Sequence, residues 1–416
     1  MAAIRPFRGL RAPKEIAPKL AALPYDVLSS EEARVMAQGN PYSFLHVTKP
    51  EIDLDPSIDL YDPRVYAKAK ENFEAFRQKG WLVYDPGRWL YIYRQVMDGR
   101  AQTGLMACCS AEEYWNDTIK KHELTRKDKE EDRLKHVDVI NANAGPVFLT
   151  YKARAEIDAM IDQITKGTPE YDFVAPDGIQ HVLWVVKDAD WIKKMQDLFA
   201  KVPVLYVADG HHRSAAAARI AKVRREQNPK HTGQEEYNFF LAVLFPHNHL
   251  HIMDYNRAVK DLNGLTPEQF LAKVGEKFTV TKTTEKKPKQ ATHFGMYLGG
   301  QWYELAAKPG TYNDHDPVKR LDVSILQDNL LGPILGIKDP RTDKRIDFIG
   351  GIRGVKELER IVDEGKFKVS FSMFPTSIEQ LMAIADAGQI MPPKSTWFEP
   401  KLRSGVVIHT LEDLPA

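Results

Sequence analysis

The sequence predicts a mixed α/β protein in three parts. Three observations carry this: strand-like apolar runs alternate with helical periodicity, the composition is that of an ordinary globular chain, and 416 residues exceed one simple domain. Hydrophobic residues make up 43% and charged residues 28%, which excludes the disordered class. Lys and Arg total 58 against 57 Asp and Glu, a net charge of +1, so there is no overall basic field for gripping nucleic acid.

The first part, 1–111, opens with a proline-bearing extended stretch. Ser29-Ser30-Glu31-Glu32 reads as a helix start. Val65, Ala69, Phe73 and Phe76 recur at helical spacing, and Gly80 ends that helix. Strand-like runs Trp89–Val96 and Gly104–Cys109 flank Asp98-Gly99, a strong hairpin signal. The second part, 112–250, begins with dense charge. Thr125 followed by Asp128 forms a capping-box pattern that predicts a helix from Thr125. Val182–Val186, Val202–Val207 and Phe239–Phe245 read as buried strands and Ser214–Arg224 as an alanine-rich helix. The third part, 251–416, alternates again: Thr292–Leu298, Ile346–Ile349 and Phe367–Phe371 as strands, Lys356–Asp363 and Ile378–Ala387 as helices.

The longest apolar run, Phe239–Phe245, is far short of the ~18 residues of a membrane span. No apolar stretch follows the N-terminal Arg5 and Arg8, so no secretory signal is visible and a cytoplasmic location is expected. Cys108 and Cys109 are neighbours in an apolar segment and read as small buried hydrophobes in a reducing compartment.

The sharpest chemical signal is Asp209-Gly210-His211-His212-Arg213-Ser214. An apolar strand ends in an acid and a glycine, and two histidines and an arginine then open a helix. Gly210 allows a tight turn, the helix N-terminus offers N–H groups to an anion, and Arg213 can clamp a phosphate. Asp209 could hold Mg²⁺ or orient a histidine. Simple helix capping by Asp209 and the histidines is the alternative. Upstream lies Lys120-Lys121-His122-Glu123-Leu124-Thr125-Arg126, followed by Lys129 and Arg133. These residues read either as a cationic wall for a polyphosphate, with Glu123 ahead of it, or as a solvated charged face. The alternating His247, His249 and His251 would share one face of a strand but have no acidic partner nearby. Gly350-Gly351 and Lys394-Ser395-Thr396 do not match a phosphate-binding loop.

Asp209-Gly210-His211-His212-Arg213 with Lys121-His122-Glu123 upstream resembles the ParB/sulfiredoxin fold and, within it, the free-serine kinases. The whole chain resembles a large prokaryotic family of conserved proteins of unknown function, often labelled SpoOJ/ParB-like. The resemblance is carried by Arg5-Pro6-Phe7, Pro24-Tyr25-Asp26-Val27, Lys121–Arg126, Lys129-Glu130 with Asp132-Arg133, Asn141-Ala142-Asn143, the Asp209–Arg213 loop and Met391–Thr396. In sulfiredoxin a cysteine precedes the His-Arg pair; His211 stands there, so that chemistry is excluded. ParB proteins add DNA-binding elements that this balanced chain does not suggest, although a nucleotide-binding ParB-like regulatory or DNA-associated protein without kinase activity stays open.

The resemblance to the serine kinases implies a nucleotide-dependent small-molecule kinase using ATP or ADP with Mg²⁺, with L-serine or a similar hydroxylated metabolite as acceptor. It implies Glu123, beside His122, as general base, with His212 and Arg213 stabilising the transferred phosphoryl group and Asp209 positioning Mg²⁺ or the loop. Gly210, His211, Ser214, Arg126, Lys129 and Arg133 would bind nucleotide phosphates. Tyr25, Asp26, Lys394, Ser395 and Thr396, in the flanking parts, are candidates for the substrate side.

Overall fold

The computed structural model describes residues 2–413. The fold is mixed α/β, as the alternating pattern predicts, and the chain divides into two units. One gathers the chain up to Leu250 together with the segment from Pro400 onward; the other is His251–Glu399.

In the first unit, nine of the described strands form one sheet. Across it the strands run Ile119–Lys120, Leu205–Asp209, Val147–Tyr151, Phe239–Pro246, Arg100–Ser110, Leu90–Met97, Gln180–Val186 and Tyr171–Val174, with Ile4–Arg5 paired to Cys108 and Cys109. The hairpin forms where Asp98-Gly99 predicts it: both residues have positive φ, 51° and 76°, and Met97 pairs with Arg100.

The expected division at 111/112 is absent, because this hairpin lies in the middle of the sheet. Leu90 to Tyr93 and Leu105 to Cys109 are each buried without alternation, as strands covered on both faces must be. A separate small domain would leave one of those faces to water. One face is covered by the helices Ala155–Thr165 and Ala189–Phe199, whose Ile157, Ile161, Met195 and Phe199 join Leu105, Leu149, Leu205 and Leu244 in the main core. Pairing of His409–Thr410 with Ala142–Asn143 brings the C-terminal segment back into this unit, so the expected third domain ends near Glu399 rather than at 416.

The helix His211–Gln227 buries an almost continuous run from Ser214 to Ala218, and Ala215, Ala218 and Ala221 pack on Ala111 and Tyr114. Its partner is the helix Lys127–Ile140, tied to it by Arg219 to Glu130 (2.9 Å) and Glu131 (3.1 Å). That helix starts later than the sequence predicts. Arg126 is its N-cap, and the Thr125 hydroxyl bonds Glu130 (2.6 Å) instead of closing a capping box with Asp128. Ser29, by contrast, forms a full capping box with Glu32 at the head of the helix Ser30–Ala37.

The second unit is built on a six-stranded antiparallel sheet ordered Phe278–Lys282, Gln301–Ala307, His293–Leu298, Val369–Ser372, Tyr255–Val259 and Ile346–Gly350. The helix Val355–Asp363 lays Leu358 and Ile361 against Ala258, Tyr297, Trp302 and Phe367. The helix Ile378–Asp386 begins at a Ser377–Gln380 capping box. Among the described residues, no helix is long and apolar enough to cross a membrane.

Candidate functional site

The strand Leu205–Asp209 stops at Gly210, whose φ of 92° only glycine adopts readily, and the helix begins at His211. A Cβ at Gly210 would also lie 3.1 Å from the Arg213 Nε, so the turn is tight as well as left-handed. Ser214 N–H donates to the Gly210 carbonyl (2.9 Å), which opens the hydrogen-bond ladder of the helix. Arg213 is held at this turn: its guanidinium donates to the Pro146 carbonyl and to Asp209 Oδ2 (3.3 Å), while its buried Nε has no hydrogen-bond partner. Asp209 Oδ2 also faces Lys401 Nζ at 3.7 Å.

The upstream segment arrives by strand pairing. Ile119 and Lys120 pair in parallel with Leu205 and Tyr206, so the residues that follow each strand leave the sheet side by side. Two contacts join them. His122 Nε2 lies 3.4 Å from His211 Nε2, with the rings at 85°, and the Arg126 N–H donates to His212 Nε2 (3.1 Å). Glu123 is half-buried beside the histidine pair: its carboxylate and one nitrogen of each ring lie within 4.8 Å of one another. Burial pushes the His122 imidazole well below its usual value, reinforced by His211. Burial likewise brings His211 down to about 4, against the pull of Asp209 and with the help of His212 and Arg213. Both rings are therefore neutral at neutral pH and carry one lone pair each.

The expected cationic wall is dispersed. Arg126 pairs with Asp128 (2.9 Å), Lys129 stands 5.5 Å from the Tyr61 ring, and Arg133 pairs with Asp132 (2.7 Å) while covering the Tyr25 ring at 3.8 Å. Ser214, expected to bind phosphate, turns its hydroxyl back to the Gly210 and His211 carbonyls (3.3 and 3.0 Å). Tyr25 does reach the site's surroundings. With Arg133, His136, Gly145, Arg213 and Ser404 it lines a cavity of about 40 Å³. Loss of water, with Asp26 next to it, raises the Tyr25 phenol; Asp26 itself is exposed.

Lys394, Ser395 and Thr396 belong to the second unit. There Lys394 has a positive φ of 58°, its carbonyl accepts from Arg257 (2.9 Å), and Ser395 bonds the Pro392 carbonyl (2.6 Å), which makes this stretch a turn. Gly351–Arg353 is a single 3₁₀ turn. His247 and His249 also sit on a 3₁₀ turn and accept from Ala153 (3.1 Å) and Thr103 (3.5 Å), so no comb of histidines on a strand exists there. Cys108 and Cys109 are free and buried, and burial pushes both thiols well above their usual value.

Pro146, Lys401 and Ser404 were not foreseeable as neighbours of the loop. Pro146 contributes only a carbonyl, and Lys401 and Ser404 are brought back by the C-terminal segment nearly two hundred residues after Asp209, with no local pattern to announce it.

No curated protein matches the chain. Solved structures that resemble it include a free serine kinase in complex with AMP, with 14% identity and a TM-score of 0.37 over 72% of this chain and 91% of that one. A conserved hypothetical protein from Pyrococcus furiosus has 14% identity and a TM-score of 0.36, covering 72% and 94%. SbnI with a C-terminal truncation from Staphylococcus aureus has 11% identity and a TM-score of 0.39, covering 75% and 90%. Residues 4–324 match a family described as "Protein of unknown function (DUF1015)", and the chain belongs to that family.

Proposed function

We propose that this protein is a nucleotide-dependent phosphotransferase that places a phosphoryl group on the hydroxyl of a small metabolite, free L-serine being the first choice. The observation that supports it is the meeting of the two sequence elements: the Arg126–His212 hydrogen bond (3.1 Å) and the His122–His211 contact (3.4 Å) bring Glu123 to the first turn of the helix His211–Gln227.

The turn suits a phosphate group. Its left-handed Gly210 lets the backbone approach closely, the N–H groups of His211 and His212 open the helix, and the buried Arg213 Nε awaits an acceptor. His212 accepts from Arg126 at Nε2, so its neutral ring carries a proton on Nδ1 that can be donated to the transferred group. Glu123 takes the proton of the acceptor hydroxyl. Mg²⁺, when bound, would offset phosphate charge. Because Asp209 Oδ2 already faces Arg213 (3.3 Å) and Lys401 (3.7 Å), its main role is to hold the loop, and the ion would rest largely on the nucleotide's own oxygens. Such catalysis is positioning and electrostatics and needs no covalent nucleophile.

Incubation with ATP or ADP, Mg²⁺ and L-serine, followed by phosphorus NMR, should show phosphoserine. Glu123→Gln should lower its rate by ~10²-fold or more. Nucleotide binding without any phosphorylated product would instead favour a nucleotide-responsive regulator.

A further inference from the structure

The His122–His211 pair has no role in that reading beyond holding two segments together, and a direct hydrogen bond accounts for it poorly. At 3.4 Å the two nitrogens are farther apart than the ~2.7–3.2 Å of a good hydrogen bond. Both rings are deeply buried, His122 at 2% and His211 at 7% exposure, so the two facing Nε2 atoms meet in a site shielded from bulk water. Buried polar atoms are nearly always satisfied, and where two facing ring nitrogens share no good hydrogen bond an ion or a water between them is the usual completion.

The geometry points to a site for a divalent first-row transition metal, Zn²⁺ being the reference ion, held by His122 Nε2, His211 Nε2 and the Glu123 carboxylate. Two nitrogens bound at ~2.0–2.1 Å and at a tetrahedral angle stand about 3.3–3.4 Å apart, which is the separation of these two atoms. The near-perpendicular rings, at 85°, let both lone pairs converge on one point without the rings clashing. Glu123 follows His122 in a loop rather than a helix, and its oxygen, within 4.8 Å of a nitrogen of each ring, stands at most about 1.5 Å beyond the ~3.3 Å that neighbouring ligands of a tetrahedral site keep. The donor set is two neutral imidazoles and one carboxylate, which suits Zn²⁺ or its neighbours and not Mg²⁺. Three protein ligands leave a fourth position for water or a substrate oxygen. Ligation through one carboxylate oxygen leaves the other to accept a proton, so the site is compatible with the role proposed for Glu123.

The inference concerns binding and goes beyond phosphoryl transfer. It is tested on the full chain, untagged and stripped with a chelator, by titrating Zn²⁺ against a chromophoric competitor and by recording the visible spectrum of the Co²⁺ form. One equivalent should bind at micromolar or lower Kd, with the intense d–d bands of a four-coordinate Co²⁺ site. Glu123→Gln should weaken binding at least tenfold, and His211→Gln should abolish it. Glu123 is only half-buried, so its variant keeps the test decisive should the histidine change unfold the protein. Less than one equivalent at micromolar Zn²⁺, or a Glu123→Gln variant that binds like the parent, would overturn the inference. Phosphoserine formation without metal uptake overturns this site alone; metal uptake without phosphoserine overturns only the phosphotransferase reading.

Discussion

The backbone N–H of Arg126 donates to Nε2 of His212 across 3.1 Å, joining the end of one sequence element to the first turn of the other. The bond uses Arg126's backbone and not its side chain, which pairs with Asp128. Arg126→Ala should therefore leave phosphoserine formation within a few-fold of the parent. Arg126→Pro, at a residue whose φ of −83° a proline nearly matches, removes the donor and should lower the rate ~10-fold or more. Steady-state kinetics on the two variants check this, and equal rates would dismiss the bond as a positioning device.

Gly210→Ala should cost about 1–2 kcal/mol, the penalty for a side chain at φ 92°, with the Arg213 Nε only 3.1 Å from the new Cβ. Urea unfolding measures the first effect. The second should appear as a loss of the rise in Tm caused by ADP, because the displaced guanidinium can no longer meet a phosphate.

Arg213→Lys keeps the charge but cannot reach the Pro146 carbonyl and Asp209 together with a planar fork. The thermal shift produced by nucleotide should fall to near zero while the unliganded Tm drops by only a few degrees. A shift equal to the parent's would separate Arg213 from phosphate binding.

Stability should fall on mild acidification because of His136. Burial, together with Arg133, brings its ring from the ordinary 6.5 down to about 4, and its Nε2 donates to the Val47 carbonyl (2.8 Å). The folded-state value is the lower one, so protons favour the unfolded chain once pH drops below 6.5, and the loss accumulates until about pH 4. The expected total is about 3 kcal/mol at ~1.4 kcal/mol for each pH unit. Denaturant melts across this window check the slope, and His136→Gln should flatten part of it. An identical slope in that variant would assign the acid sensitivity elsewhere.

Local chemistry was the legible part of this fold. Ser29 with Glu32, Asp98-Gly99, and the passage from strand to glycine to helix at Asp209–His211 each follow from residues within a few positions of one another. Illegible were the pairings over long separations. Nothing near Arg100–Ser110 says that Phe239–Pro246 will lie beside it, yet that pairing erases the expected 111/112 boundary. The capping pattern at Thr125 failed because Glu130 offered its hydroxyl a partner one turn later. Within the site, the Asp209–Arg213 loop and the Lys121–Arg126 segment could be paired from their motifs, whereas the spread of Arg126, Lys129 and Arg133 among Asp128, Tyr61 and Asp132 depends on packing between helices.

The return of the chain after Glu399 has a consequence for biosynthesis. Lys401 beside Asp209 and His409 paired with Asn143 belong to the first unit, but the ribosome makes them only after the whole of His251–Glu399. At ~5–20 residues per second that interval is roughly 7–30 s. Throughout it the nascent first unit carries Asp209 without its lysine and Asn143 without its strand partner, so this unit is completed only by the last part of the chain to be made.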